Sequence, residues 1–467
     1  MHAFYRRKGA YPGSIMRDTI KFWYNKTITG TTKDIILAVL IGVFTGLCSV
    51  YIITTESGIE DFLYAGHTRI FSISHLFTLK SLVILCLPLT GALFYIVLKS
   101  VFFKEQKMGY NFPDFIVEVN KRDARLNPKN ILYALLFIPV IIGTGNMAGV
   151  EGPIAQIGGG IGSFLTDLMK EENRKRRKLL IASGAAAGIA SIFNAPITGV
   201  FFAIEIVLLG EYELTALSII IIAAVTATLV TRAILGNAPL LGTTIYAYAG
   251  ARDFIGYSFL GLFVGIFSVL FETWFFKAAD YFKALSVNPL VKPLIGSIII
   301  GCVGVFLPLS LGNGYPVIRM ALLGKLSFAL IGLLFAAKFM GTAITIGSGL
   351  PGGIYAPSLY TGAMLGGSIG YLFGAVFPAH PVSVGMYAIL GMSAFLAAIT
   401  HAPFTGIFLV FELTNDYRMM LPFMVTTIIA MLIKAKLFPD SIEHYPIREY
   451  IKHVEQGAPG QNHAGNG

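Results

Sequence analysis

Gly149-Val150-Glu151-Gly152-Pro153 sets one carboxylate between two glycines at the head of an apolar run, residues 154–165. A charge at membrane depth costs about 2.5–3.5 kcal/mol on insertion scales, so a carboxylate kept there points to function. The glycines leave backbone N–H groups uncovered, and Pro153 suits a first helical turn, where its missing donor is not needed. Such a helix start offers about half a positive charge and free N–H groups, which together suit an anion. Glu151 can fill that place itself, as a tethered competitor for a diffusible anion. The pattern is that of a gate.

The surrounding chain supports membrane depth. Its 467 residues are 55% hydrophobic and 13% charged, against about 25% charged in soluble proteins. Apolar runs long enough to cross a bilayer include 35–54, 81–98, 131–150, 214–230, 254–271, 293–311 and 326–346. Shorter apolar pieces broken by Gly and Pro lie between them, too short to span alone. The 51 glycines agree with close helix packing and broken helices. The alternating ten-residue strands of an outer-membrane barrel do not occur.

Net charge is +10, and its placement sets topology. The first 34 residues carry seven Lys/Arg against two acids, and the loop 170–178 carries six cations: Lys170, Arg174, Lys175, Arg176, Arg177 and Lys178. By the positive-inside rule both face the cytoplasm, which accounts for the basic loop better than nucleic-acid binding does. Cys48, Cys86 and Cys302 lie in apolar runs without metal or disulfide spacing and read as packing residues. The N-terminal segment is basic and mixed rather than a cleavable signal, and the polar tail is expected to be disordered, with no soluble domain after the membrane part.

An internal repeat organises the chain. GAAAGIASIFNAPITGVFFAIEI at 184–206 and GMSAFLAAITHAPFTGIFLVFEL at 391–413 match at ten of 23 positions with an offset of 207, including Pro196/Pro403, Gly199/Gly406 and Glu205/Glu412. Gly149–Pro153 matches Gly353-Ile354-Tyr355-Ala356-Pro357 at an offset of 204. Related halves in a membrane protein imply inverted-topology repeats with a site between discontinuous helices. The expected architecture is an all-α polytopic membrane protein whose two inverted repeats bring broken helices to a midplane anion site. Its divisions are a cytoplasmic segment 1–34, a first repeat 35–236, a loop 237–253, a second repeat 254–440 and a cytoplasmic tail 441–467. A further Gly-x-x-x-Pro pentad, Gly109-Tyr110-Asn111-Phe112-Pro113, adds a helix start to those at 149–153 and 353–357. If these point inward, their partial charges sum to roughly more than one positive charge at one spot.

These residues resemble the CLC family of chloride channels and anion/proton exchangers. The likeness is carried by GVEGP at 149–153, GAAAGIASIFNAPITG at 184–199, GSGLPGGIYAP at 347–357 and GMSAFLAAITHAPFTGIFLVFELT at 391–414, and it runs from about residue 35 to 441. The resemblance implies a homodimer with one anion pathway per subunit, cytoplasmic termini and roughly eighteen membrane helices of uneven length. It matches the short prokaryotic type without cytoplasmic nucleotide-binding domains, placed in the bacterial inner membrane. The family's gating glutamate falls on Glu151. Its outer anion-binding amides fall on Val150, Glu151, Gly152, Tyr355 and Ala356, and its central ones on Ile354 and Tyr355.

Four departures bear on function. Tyr110 stands where the family's anion-coordinating serine is, and a phenol still donates a hydrogen bond but is bulkier. Val150 replaces the arginine usual before the gating glutamate, which makes the charged form of Glu151 less favourable. Ile206 replaces the exchangers' inner proton-transfer glutamate. Glu443 aligns with the family's pore tyrosine; because a carboxylate there would repel an anion, Tyr445, two residues on, is the alternative. Glu205 and Glu412, equivalent in the two halves, read as capping or pairing groups rather than transport groups. His401, at the position of Asn194, reads as a helix-start residue.

The expectation is transport of an anion, chloride by default, through weak multi-site binding to backbone N–H groups, with Glu151 as gate and proton acceptor. Exchange with protons is favoured; the alternatives are a passive channel gated by Glu151 and a carrier of another anion. No metal or cofactor is expected, chloride being the substrate. With neither HExxH nor paired intramembrane aspartates, a membrane-embedded enzyme is not expected.

Overall fold

The computed structural model describes residues 12–64, 79–109, 112–210, 214–238, 240–242, 253–377 and 382–443. Sixteen α-helices occur among them, eight in each half. The first half holds α1 (Pro12–Tyr64), α2 (Leu79–Phe102), α3 (Phe112–Lys121), α4 (Lys129–Gly143), α5 (Glu151–Leu168), α6 (Arg174–Phe193), α7 (Pro196–Phe202) and α8 (Leu214–Leu235). The second holds α9 (Asp253–Ala284), α10 (Lys292–Phe306), α11 (Tyr315–Leu322), α12 (Phe328–Gly347), α13 (Tyr355–Val376), α14 (Val384–Thr400), α15 (Pro403–Thr414) and α16 (Met420–Leu437). The order of long and short helices repeats, so α3, α5, α6 and α7 correspond to α11, α13, α14 and α15.

Seven helices are long and apolar enough to cross a membrane. Large apolar side chains such as Leu82, Leu229, Leu333 and Leu432 stand exposed around the bundle, as helices facing acyl chains require. The span expected at 131–150 ends sooner, at Gly143, and that at 293–311 ends at Phe306. Tyr355–Val376 and Tyr417–Leu437, outside the expected spans, are long enough to cross. Cys86 and Cys302 are exposed, so of the three cysteines only Cys48 is even partly packed.

The halves meet through reciprocal contacts. Gly149 N–H donates to Gly353 O (2.8 Å) and Gly353 N–H to Gly149 O (2.6 Å), an antiparallel bridge between repeat-related residues. Glu205 accepts from Phe404 N–H (3.0 Å), Thr405 N–H (2.7 Å) and the Thr405 hydroxyl (2.7 Å) at the start of α15. Glu412 does the same at the start of α7, from Ile197 N–H (3.0 Å), Thr198 N–H (2.7 Å) and the Thr198 hydroxyl (2.6 Å). Each carboxylate thus satisfies orphan N–H groups of the other half's helix. Inside each half one close crossing is made without side chains. A Cβ on Gly184 would lie 1.9 Å from Gly158 O, and one on Gly391 would lie 2.2 Å from Gly362 O.

The local chemistry of the helix ends follows the sequence. Asn173 caps α6 by accepting from Lys175 N–H and Arg176 N–H. Asn194 and His401 both close a helix in the left-handed region, with φ of 57° and 55°. His401 therefore ends α14 and does not start α15, which begins after Ala402 with Pro403 in its first turn. Several cations of the basic loop are structural. Arg176 pairs with Asp34 (2.6 Å) and Glu171 (2.5 Å), Arg177 pairs with Asp167 (2.6 Å), and Arg174 donates to the carbonyls of Asn120 and Arg122.

Candidate anion and proton site

The starts of α3, α5 and α13 converge. A Cβ built on Gly152 would meet Gly353 Cα at 3.5 Å and the rings of Phe112 and Tyr355 at 3.9 Å. Val150 precedes α5 and Ile354 precedes α13; both are buried, as are Gly152, Tyr355 and Ala356. Tyr110 and Tyr445 lie outside the described residues.

Glu151 is fully buried and bridges the halves. Its Oε1 accepts from the Tyr315 hydroxyl at 2.5 Å, and its Oε2 accepts from Ala356 N–H at 3.2 Å. Gly149 is required beneath it, because a Cβ there would come within 2.1 Å of Oε2 and 3.2 Å of Ala356 N. The carboxylate thus sits at the N-terminus of α13, where N–H groups and helix dipole favour negative charge.

Tyr315 starts α11, and its pentad, Gly312-Asn313-Gly314-Tyr315-Pro316, has the same Gly-x-x-x-Pro form as the others. That form, at an offset of 203 from Gly109–Pro113, is the signal by which it is legible in the sequence. Asn313 accepts from Tyr315 N–H (3.1 Å) and donates to buried Glu56 Oε1 on α1 (2.6 Å).

A buried lysine lies in the second half near the start of α11. Lys338 on α12 is fully buried, donates to the carbonyls of Ser310 (2.9 Å) and Gly312 (2.5 Å), and lies 4.9 Å from the Tyr360 ring centre. No local pattern around Lys338 announces this, because its partners belong to other turns of the fold.

Glu443 is 1% exposed, and its Oε1 accepts from the Tyr355 hydroxyl at 2.5 Å. The carboxylate expected to be displaced in favour of Tyr445 is thus held at the helix start that also seats Glu151. Ile206 is buried in a π turn, Ala203–Val207, that the second half lacks at the equivalent place, where α15 stays regular.

This is a helical fold with membrane-length apolar helices and paired helix starts at a buried carboxylate. The chain belongs to the voltage gated chloride channel family, which matches residues 90–435. It is 36% identical over 297 residues to the H(+)/Cl(-) exchange transporter ClcA of Vibrio parahaemolyticus, covering 62% of this chain and 64% of that protein. Identity to ClcA of Vibrio cholerae serotype O1 is 35% over 318 residues, 67% of each chain. Among solved structures, a slow cyanobacterial Cl-/H+ antiporter superposes with a TM-score of 0.79 at 24% identity, over 90% of this chain and 99% of that one. A CLC-type fluoride/proton antiporter gives 0.74 at 23% identity, over 88% and 97%. These two likenesses establish the shared fold.

Proposed function

We propose that the protein exchanges an anion, chloride by default, for protons across the membrane, with Glu151 as gate and proton acceptor. The observation that carries this reading is the seat of the Glu151 carboxylate, held by Ala356 N–H and the Tyr315 hydroxyl at the start of α13. Ionised, Glu151 fills a place made for an anion. Protonated, it loses its charge-assisted hold on those donors, leaves, and an anion enters. The names of the ClcA relatives support coupling to protons.

Val150, Gly152, Ile354, Tyr355 and Ala356 line the pathway in this proposal, joined by Tyr110 and Tyr445. The family resemblance implies a homodimer with one pathway per subunit, and that assembly is part of this proposal. The basic N-terminal segment and loop 170–178 support cytoplasmic termini in a bacterial cell membrane. Ile206, an apolar group where exchangers hold an inner acid, favours a second reading as a passive channel gated by Glu151.

Liposomes holding purified protein and a chloride gradient separate the two. Exchange predicts chloride release with uphill proton uptake, and acid outside should speed both. Glu151→Gln should conduct chloride with no linked proton movement and no pH dependence. Chloride release without proton uptake in the unaltered protein would establish the channel, and a steeply pH-gated Glu151→Gln would remove Glu151 from the role.

A further inference from the structure

We propose that Glu443 is the inner proton-transfer group of this protein, working through the Tyr355 hydroxyl in place of the acid that Ile206 cannot supply. The inference rests on the exchange reading above. Three observations carry it.

The first is position. The α5 and α13 bridge is antiparallel, and α14, the counterpart of α6, runs in the inverted sense. Because α6 begins at the basic loop, α14 ends toward that loop's face. There Ile399 O accepts from Ile442 N–H (3.0 Å), which places Glu443 on the basic-loop side of Glu151.

The second is that one residue joins the two carboxylates. The amide following Tyr355 holds Glu151, and the Tyr355 hydroxyl holds Glu443. The Tyr355 ring passes beside Gly152, the residue after Glu151, and is kept in line by Phe112 and Phe202, whose centres lie 6.1 and 5.6 Å away.

The third is that the acid is built in. Fully buried Lys434 on α16 pairs with fully buried Glu272 on α9 at 2.8 Å and also donates to the Asp440 carbonyl, fixing the turn that carries Glu443. Among the described residues, the titratable groups near Glu443 include Tyr355 from α13, Glu272 from α9, Lys434 from α16 and Asp440 of its own turn. The contact with α14 is a backbone bond at an isoleucine. An acid buried at membrane depth is costly, so its presence there points to function.

The step moves one proton and changes no other bond. Glu443 takes a proton from hydronium on the basic-loop side, releasing water, and its new O–H donates to the Tyr355 oxygen; the phenol O–H, turned away from Glu443, gives its own proton to Glu151 as that carboxylate swings in from Tyr315 and takes the Glu443 proton in exchange. The phenol ends as it began, Glu443 is again ionised, and protonated Glu151 releases its proton on the other side.

Chloride and proton fluxes are measured together in liposomes for the unaltered protein, Glu443→Gln, Glu443→Asp and Tyr355→Phe. The expected result is at least a tenfold fall in protons moved per chloride for Glu443→Gln, recovery in Glu443→Asp, and a several-fold fall in Tyr355→Phe. A proton-to-chloride ratio in Glu443→Gln equal to that of the unaltered protein would overturn the assignment. Should Glu443→Gln not yield folded protein, Tyr355→Phe decides, since it removes only a hydroxyl, and an unchanged ratio there overturns the relay. If the unaltered protein moves chloride with no protons, the exchange reading itself fails and takes this inference with it.

Discussion

The two halves of the molecule are alike where the chain must hold together and unlike where it must move ions. Glu205 and Glu412 make the same three hydrogen bonds to each other's half, and Gly158/Gly184 repeats as Gly362/Gly391. At the helix starts the copies diverge. Gly149–Pro153 carries Glu151 where Gly353–Pro357 carries Tyr355, and Phe112 at the start of α3 corresponds to Tyr315 at the start of α11. A symmetric bundle gives two equivalent seats. Placing the carboxylate on one copy and the hydroxyls on the other is what the proposed function reads as a gate and its donors. Repeat symmetry therefore sorts buried polar groups: Glu205 and Glu412 are structural because they match, and Glu151 is singled out because it does not.

The cap pair gives the largest expected effect on stability. Glu205→Ala or Glu412→Ala strands two backbone donors and one hydroxyl, costing about 2–4 kcal/mol. Thermal unfolding in detergent should fall by a similar amount for both variants, with proton-to-chloride ratios in folded protein unaltered. A variant that keeps its stability but loses coupling would place that glutamate in transport and break the comparison.

The glycine crossings come next. Gly184→Ala and Gly391→Ala each force a methyl against a backbone carbonyl, so the helices must separate at a cost of about 1–3 kcal/mol. Equal losses in the two halves are expected in the same unfolding measurement. A loss confined to one half would show that the repeat is not matched in packing.

Much of this was legible in the chain and some was not, for physical reasons. Hydropathy reveals most spans, because a bilayer demands a long apolar run whatever its neighbours are. It passes over α13, whose glycines and hydroxyls lower its mean hydropathy because its first thirteen residues are buried in protein. Glu151 announces itself by its flanking glycines. Lys338 and Glu443 do not, since their meaning lies in partners supplied by distant turns; Glu443 meets Tyr355 across 88 positions of sequence. Alignment alone suggests that Glu443 repels an anion, whereas the fold gives its carboxylate a phenol donor. Tyr315 falls between: its pentad is visible, but its bond to Glu151 requires the two halves to be brought together.

Tyr315→Phe gives the smallest and most pointed effect, because it makes the start of α11 match that of α3. The ring and its place against Phe193 are retained, and only the donor to Glu151 is lost. A hydrogen bond to a charged group contributes about 1.5–3 kcal/mol, and 1.36 kcal/mol corresponds to one pH unit. That donor favours the ionised, seat-filling form of Glu151, so without it the carboxylate takes up a proton at lower acidity. The pH of half-maximal chloride flux should therefore move up by about one to two units, with coupling to protons preserved because Glu151 and Glu443 are both intact. A shift toward lower pH, or none, would mean that Tyr315 does not hold the gate in its charged form and that Ala356 N–H suffices to seat it.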